Sequence, residues 1–183
     1  MNHRNVIRIL IPLIMVLVLL ALGRQWWCPA GDLALWSFDN NSQHNSQHLL
    51  DWYTPSHISH GLIFYLVFVQ LVGGRVRQYA LELSMLIEAS WEILENTDYV
   101  INRYREATIA LDYFGDSIFN SFSDLLWCML GFYIASRIKV RHTILLFLGF
   151  ELFTLYFIRD NLTLNVLMLL WPIEAIKAWQ GAI

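Results

Sequence analysis

Long apolar segments constrain this chain more than any other feature of its sequence. Six of them recur along the 183 residues, and each approaches the length of about 20 residues that a helix needs to cross a hydrocarbon core of about 30 Å. They cover residues 6–23, 57–73, 80–95, 118–136, 143–158 and 162–176. The pattern predicts an all-α, polytopic membrane bundle of about six transmembrane helices, which forms one integral-membrane domain over residues 1–183.

The composition agrees with a membrane protein and excludes two other classes. Hydrophobic residues make up 57% of the chain and charged residues only 15%, whereas soluble domains are about one quarter charged. A disordered chain would need low hydrophobicity and high net charge. A nucleic-acid-binding protein would need an excess of basic residues, but the net charge here is -3, so no nucleic-acid partner is expected.

The first apolar segment, residues 6–23, fits either a membrane span or a signal peptide. A short basic stretch precedes it, and Ala21-Leu22-Gly23 is similar to a cleavage motif. The length of the segment and the apolar segments that follow favour a span. The two cysteines, Cys28 and Cys128, lie just after this segment and inside a later one, so they are predicted to be free thiols.

The distribution of basic residues predicts the orientation of the bundle. Eight of the twelve fall at one set of alternate segment ends and four at the other, and the richer side is normally cytoplasmic. Both termini are therefore predicted in the cytoplasm, and two longer loops, residues 24–56 and 96–117, on the outer side. In a Gram-negative bacterium this is a multi-pass inner-membrane protein with its loops in the periplasm. The eight are Arg4, Arg8, Arg75, Arg77, Arg137, Lys139, Arg141 and Lys177.

Acidic residues concentrate on the predicted outer side, where twelve of the fifteen lie. Three of them, Glu88, Glu92 and Glu95, are spaced i, i+4 and i+7 and form one stripe on a helix. Each ionised acid near a bilayer centre costs about 2.5 to 3.5 kcal/mol on insertion scales. The stripe is therefore predicted to face the interior of the bundle rather than lipid.

Two further polar sets match this stripe. Asp116 and Asp124 lie with Asn120 at four-residue intervals around the start of the fourth segment. His57 and His60 are adjacent on one face at the outer end of the second segment. The sequence therefore predicts one outward-opening cavity that combines imidazole and carboxylate groups.

Several stretches resemble a known family. They are NSQHLLDWYTPSHISHG at 45–61, EASWEILENTD at 88–98, DYFGDSIFNSFSD at 112–124 and IRDNLTLN at 158–165. The chain resembles, over about residues 41–180, an uncharacterised family of small proteobacterial inner-membrane proteins that carry a domain of unknown function. This resemblance implies a fold and a location but no activity.

A weaker likeness is to the VanZ-like membrane domains. Those domains have a His near the start of one span, an acidic residue in the next and an Asp-x-x-x-Asn pattern before a Gly-containing span. The matching positions here are His57 or His60, Glu92 and Asp116-x-x-x-Asn120. The chain departs from the pattern in its residues 95–98, where those domains usually carry a glutamine after the acid.

One hypothesis for this cavity is a metal-dependent hydrolase or transferase that acts on a membrane lipid or on a lipid-linked, phosphate-bearing substrate. Imidazole and carboxylate groups would bind a divalent metal such as zinc, manganese or iron, and a further buried carboxylate would serve as general base. The predicted metal ligands are His57, His60 and Asp116. The predicted catalytic carboxylates are Glu88, Glu92, Glu95 and Asp124. The predicted substrate-binding residues are Arg103, Arg105, Arg159 and Asn161.

Other hypotheses fit the same residues. The acidic stripe would also suit a non-catalytic protein that binds or conducts a proton, a cation or a small ligand. A third alternative is a structural or assembly subunit whose polar groups form buried hydrogen-bond networks. The arginines have structural ion pairing as their alternative, and the tandem tetrapeptide NSQH at 41–44 and 45–48 is predicted to be a solvated turn.

Overall fold

The computed structural model describes residues 3–39, 42–108 and 112–182, and this part of the chain is helical with no β-strand beyond one isolated bridge. The all-α prediction is confirmed there. A π-helical stretch, Leu66–Val72, extends α2, and a 3-10 turn, Arg77–Tyr79, leads into α3. The helices are α1 His3–Ala21, α2 Thr54–Tyr65, α3 Ala80–Glu95, α4 Asp98–Ala107, α5 Ile118–Arg137, α6 Val140–Ile158, α7 Leu162–Leu170 and α8 Glu174–Gln180.

Within the described residues, four helical stretches are long and apolar enough to cross a membrane. They are His3–Ala21, Thr54–Val72, Ile118–Arg137 and Val140–Ile158, which correspond to the first, second, fourth and fifth predicted segments. Helix α3 is shorter and carries four glutamates, yet it packs against α1 and α5. Its buried Met85 and Ala89 form an apolar core with Met15 of α1 and Leu125 of α5.

Helices α2 and α5 make the closest contact in the bundle. A Cβ at Gly61 would lie 1.9 Å from the Cys128 carbonyl oxygen, and one at Gly131 would lie 2.0 Å from the Ile58 carbonyl oxygen. Glycine lets two helix backbones approach to this distance, as in other membrane helix pairs. The two helices are thereby held together in the part of the bundle that carries His57 and His60 on α2.

Short sequence signals begin these helices. Pro55 occupies the first turn of α2, where its missing N–H is not needed. The Ser117 hydroxyl accepts a hydrogen bond from the Asn120 N–H at 3.1 Å and caps α5. The Thr97 side chain caps α4. This helix lies inside the predicted outer loop 96–117, where the apolar pattern did not predict a helix.

The sixth predicted segment, residues 162–176, is not one helix. It is split into α7 and α8 around Trp171–Ile173, where Pro172 lies in the break. Nine residues of α7 rise only about 14 Å, so α7 is too short to cross a bilayer. Helix α8 returns to the start of α7, because the Gln180 side chain donates to the Asp160 carboxylate at 3.1 Å.

This hairpin also changes the predicted topology. Arg4 and Arg8 pair with Glu82 at the start of α3, so the N-terminal end of α1 lies with the start of α3. Asp160 contacts Tyr53, next to the start of α2, at the opposite end of the bundle, and α8 ends beside it. The structure therefore does not confirm the prediction that both termini lie on one side, because α8 returns to the end of the bundle opposite Arg4.

Candidate functional site

The centre of the site is one carboxylate that holds two imidazoles. Glu88 of α3 is completely buried, and its two oxygens accept hydrogen bonds from Nδ1 of His57 and Nδ1 of His60, both at 2.8 Å. Because a carboxylate only accepts, the Nδ1 atom of each histidine carries the proton of its hydrogen bond. The i, i+3 spacing of the two histidines on α2 lets one glutamate reach both.

Two further buried acids, Glu92 and Asp124, lie beside His57. Glu92 Oε1 lies 3.5 Å from Nδ1 of His57, and Asp124 Oδ2 lies 3.8 Å from its Nε2. Within the described part of the chain, neither oxygen of Glu92 nor Oδ1 of Asp124 has a hydrogen-bond partner, although all three are buried. Two buried carboxylates without hydrogen-bond donors on these oxygens create a strongly negative electrostatic potential around His57.

A third group of acids lies towards the outer end of the cavity. Ligand atoms of Glu92, Glu95 and Asp116 come within 4.8 Å of one another. Asp116 is held in place by hydrogen bonds from the Tyr113 hydroxyl at 2.9 Å and the Asn96 amide at 2.8 Å. Burial raises the pKa of the Asp116 carboxyl to about 6, while these hydrogen bonds act in the opposite direction.

These groups line a cavity of about 230 Å³. Most of the predicted histidines and carboxylates contribute to its wall, and Glu92 lies just behind it. The polar wall includes Asn45, Ser46, Tyr53, His57, His60, Glu88, Glu95, Asp116, Asn120 and Asp124. The apolar wall includes Phe64, Ile87, Trp91, Leu162 and Val166. A mixed wall of this kind suits a ligand with one polar and one apolar end.

The structure places the four predicted substrate-binding residues away from this wall. Arg103 donates to the Leu169 carbonyl oxygen at 2.9 Å, and Arg105 donates to that of Tyr113 at 2.7 Å. Arg159 donates to the Trp179 carbonyl oxygen, and Asn161 caps α7 through the Leu164 N–H. Their hydrogen bonds join helices and loops, so the geometry supports a structural role for them.

Several cavity residues were not predicted from the sequence. Tyr53, Tyr104 and Tyr113 reach the wall from three different segments. Trp91 follows Glu88 by three positions on α3, so its position on the glutamate face could have been inferred from helical spacing. The tyrosines carry no such signal, because loops and α4 bring them to the site.

The tetrapeptide at 45–48 was predicted to be a solvated turn, and this prediction is wrong for the described residues. All four of its side chains are buried. Ser46 and Gln47 offer their carbonyl oxygens to the N–H and hydroxyl of Ser117, and His48 offers its own to the amide of Asn120. The loop thus packs on the first turn of α5 and closes one side of the cavity.

Comparison with known proteins places the chain among bacterial relatives. A family model described as "Protein of unknown function (DUF2585)" matches residues 19–182. A UPF0314 protein of Rhizobium meliloti is 54% identical over 93% of this chain and 86% of its own length. UPF0314 proteins of Paracoccus denitrificans and Novosphingobium aromaticivorans are each 47% identical, over 95% and 92% of this chain and 90% and 88% of their own lengths. No solved structure matches.

Proposed function

We propose that this chain, which belongs to the DUF2585 family of proteins of unknown function, is a metal-dependent membrane enzyme. The proposal is based on the geometry of its site. It binds one divalent cation between His57, Glu92 and Asp124. It catalyses hydrolysis or group transfer on a lipid or a lipid-linked substrate. The predicted resemblance to an uncharacterised proteobacterial family is confirmed by the same comparisons.

The observation that carries the proposal is the set of buried carboxylate oxygens on Glu92 and Asp124 without hydrogen-bond partners. An ionised carboxylate in a buried position costs several kcal/mol unless it is paired or coordinates a metal, and without such a partner it takes up a proton. Both acids flank His57, the third ligand group of this triad. A divalent cation would compensate both acids at once.

Glu88 supports the same interpretation by orienting the imidazoles. Metal-binding histidines usually donate their second ring N–H to a carboxylate or carbonyl, which fixes the tautomer. The two hydrogen bonds to Glu88 leave Nε2 of His57 and His60 free to act as ligands. We therefore assign Glu88 an orienting role rather than that of a general base.

The surroundings favour a lipid-type substrate. Four helices in the described part of the chain are apolar and long enough to span a membrane. The cavity wall carries Phe64, Ile87 and Trp91 beside its polar groups. We place the site in the outer half of a bacterial inner membrane, open towards the periplasm. With α3 as a short polar span, the chain crosses five times. A metal there would polarise a carbonyl or phosphoryl oxygen and activate a water molecule.

Metal analysis of the detergent-purified protein tests the proposal. Wild type is compared with the double variant Glu92→Gln, Asp124→Asn, which removes both charges at nearly constant volume. The control double variant Glu106→Gln, Asp112→Asn changes two exposed acids. We expect about one equivalent of metal to be lost in the first variant only. A metal content that is the same in all three proteins would overturn the proposal.

A second candidate function is proton or cation binding without catalysis. It is favoured by the continuity of the acids, because Glu92 belongs both to the group with His57 and Asp124 and to the group with Glu95 and Asp116. Such a row can pass protons between buried sites. Proton flux into liposomes that disappears in Glu92→Gln, without any bound metal in wild type, would favour this function.

A further inference from the structure

A second cluster of metal-ligating side chains lies outside the cavity, where the loop after α1 meets the tetrapeptide at 45–48. It consists of Cys28, Asp32, His44 and His48, each of which offers one ligand atom within 4.8 Å of the others. Cys28 and His48 are buried, and Asp32 and His44 are about two-thirds buried. None of the four lines the central cavity.

The distances within the cluster fit a tetrahedral metal site. Nδ1 of His44 lies 3.4 Å from Sγ of Cys28, 3.3 Å from Nε2 of His48 and 3.1 Å from Oδ2 of Asp32. Zinc bonds of about 2.0 to 2.3 Å in a tetrahedron place the ligand atoms about 3.3 to 3.6 Å apart. The three separations from Nδ1 of His44 are close to this range.

The hydrogen bonds around the cluster orient its ligands. Nδ1 of His48 lies 2.7 Å from the Ala34 carbonyl oxygen, which can only accept, so this nitrogen carries the proton and Nε2 presents its lone pair to the cluster. The Ala34 N–H donates to Oδ1 of Asp32 at 2.9 Å and leaves Oδ2 facing His44. Oδ2 is buried and, apart from the thiol of Cys28, has no hydrogen-bond donor in the described structure.

We propose that Cys28, Asp32, His44 and His48 form a structural zinc site that is separate from the central cavity. A thiolate together with two imidazoles and one carboxylate favours zinc over magnesium or manganese, which prefer oxygen ligands. Binding releases the thiol proton of Cys28 to solvent, because the thiolate is the ligand. All four positions are filled by protein side chains, as is usual when zinc stabilises a fold rather than catalyses.

The site would join the outer loop to the bundle. Cys28 and Asp32 follow α1, whereas His44 and His48 flank the segment whose backbone bonds to Ser117 and Asn120 at the start of α5. Asn45 and Ser46 of that segment line the central cavity. Zinc at this cluster therefore holds one wall of the cavity in place.

Cobalt substitution tests this proposal independently of the central site. The chain has two cysteines, and none of the ligands proposed for the cavity is a thiolate. A thiolate-to-cobalt charge-transfer band in the near ultraviolet therefore reports on the Cys28 cluster. We expect the band in wild type and in Cys128→Ser, the matched cysteine control, and its loss in Cys28→Ser and in His48→Ala.

Zinc content gives a second readout on the same proteins. Cys28→Ser is expected to lose about one equivalent of zinc. The double variant Glu92→Gln, Asp124→Asn is expected to keep the zinc bound at the Cys28 cluster. The proposal is overturned if wild type shows no charge-transfer band, or if the band persists in Cys28→Ser. A missing metal at His57 with an intact band would refute the central site alone.

A measurement on wild type covers the case in which the Cys28 variant fails to fold. Bound zinc should protect Cys28 from alkylation by a maleimide, and removal of zinc by a chelator should speed its labelling, as read by mass spectrometry of the peptides. Cys128, inside α5, is the internal reference. Equal labelling of Cys28 before and after chelation would contradict the proposal.

Discussion

At the scale of single residues, Glu88 shows how burial and hydrogen bonding are balanced in this protein. Its side chain has no exposure, yet both oxygens accept from an imidazole N–H. The neighbouring Glu92 is equally buried and has no such donors. The two glutamates stand one helical turn apart, so the difference arises from which residues of α2 face them. Glu88 orients the histidines, and Glu92 is left available for a ligand.

We therefore expect Glu88→Gln to weaken the site while preserving its volume. A glutamine offers one acceptor and one donor, so one of the two histidines loses its partner. Loss of such a supporting carboxylate typically lowers metal affinity about 10- to 100-fold, and an unsatisfied buried group costs about 1 to 3 kcal/mol. Metal titration and thermal unfolding in detergent measure both effects.

The exposed Glu174→Gln at the start of α8 is the control for this variant. It should change neither the metal affinity nor the unfolding temperature. If Glu88→Gln bound metal as tightly as wild type, the orienting role of Glu88 would be refuted.

Asp160, in the turn between α6 and α7, predicts a pH dependence of stability. Burial raises the pKa of its carboxyl to about 6, compared with about 3.9 in an unfolded chain. The folded state therefore binds more protons than the unfolded state between about pH 4 and pH 6, and stability falls as the pH rises through this window. A shift of about two pKa units corresponds to roughly 3 kcal/mol at most.

Asp160→Asn should remove most of this dependence, because asparagine does not titrate. Stability of the two proteins in detergent, measured by urea unfolding at several pH values from 4 to 7, should be similar near pH 4 and diverge near pH 7, with wild type the less stable. A wild-type profile that is flat, or that rises over the window, would contradict the assignment.

At the scale of elements, the contact between α2 and α5 determines where the site is built. Gly61 and Gly131 allow the two backbones to touch, and this contact brings His57 of α2 near Asp124 of α5. The same two helices contribute His57, His60, Asn120 and Asp124 to the cavity wall. Close packing of these helices is therefore a condition for the geometry of the site.

Gly61→Ala should destabilise the bundle and separate the two helices. The added Cβ would lie 1.9 Å from the Cys128 carbonyl oxygen, so the backbones must move apart, which typically costs about 1 to 3 kcal/mol or more. Gly149→Ala in α6 is the matched control, since its Cβ meets no atom within 4 Å and alanine favours a helix by about 0.5 to 1 kcal/mol. The unfolding temperature should fall for Gly61→Ala, and it should stay the same or rise for Gly149→Ala.

The sequence predicted which segments are helical better than it predicted where the helices end and which side chains meet in the cavity. Helical spacing alone placed Glu88 and Glu92 on one inner face and the histidines beside them, because ionised groups cannot face lipid. The same reasoning could not find Tyr53 or Tyr104, which loops and a short helix bring to the cavity. It also placed residues 162–176 in a single span, because apolarity does not reveal a helix break with a return.

At the scale of the whole molecule, the start of α1 and the end of α8 lie at opposite ends of the helix bundle. Composition did not indicate this arrangement. The helices His3–Ala21, Thr54–Val72, Ile118–Arg137 and Val140–Ile158 can each cross a membrane, and α3 packs among them. The α7–α8 hairpin returns to the end of α6 through Gln180 and Asp160. Lys177 of α8 donates to the Glu106 carbonyl oxygen of α4, which places it at the same end of the bundle as α4.

This arrangement predicts that the two ends of the protein lie on opposite sides of the membrane. Moving Lys177 to the outer side leaves seven basic residues at the inner ends and five at the outer ends, so the N-terminus is still expected in the cytoplasm. Alkaline phosphatase fused after Gln180 should then be active in the periplasm, and the same enzyme inserted at the α5–α6 turn should be inactive. A fluorescent protein that folds only in the cytoplasm should give the opposite result at both positions. Fluorescence of the fusion after Gln180 would show that the last segment crosses the membrane, and it would refute the five-crossing topology.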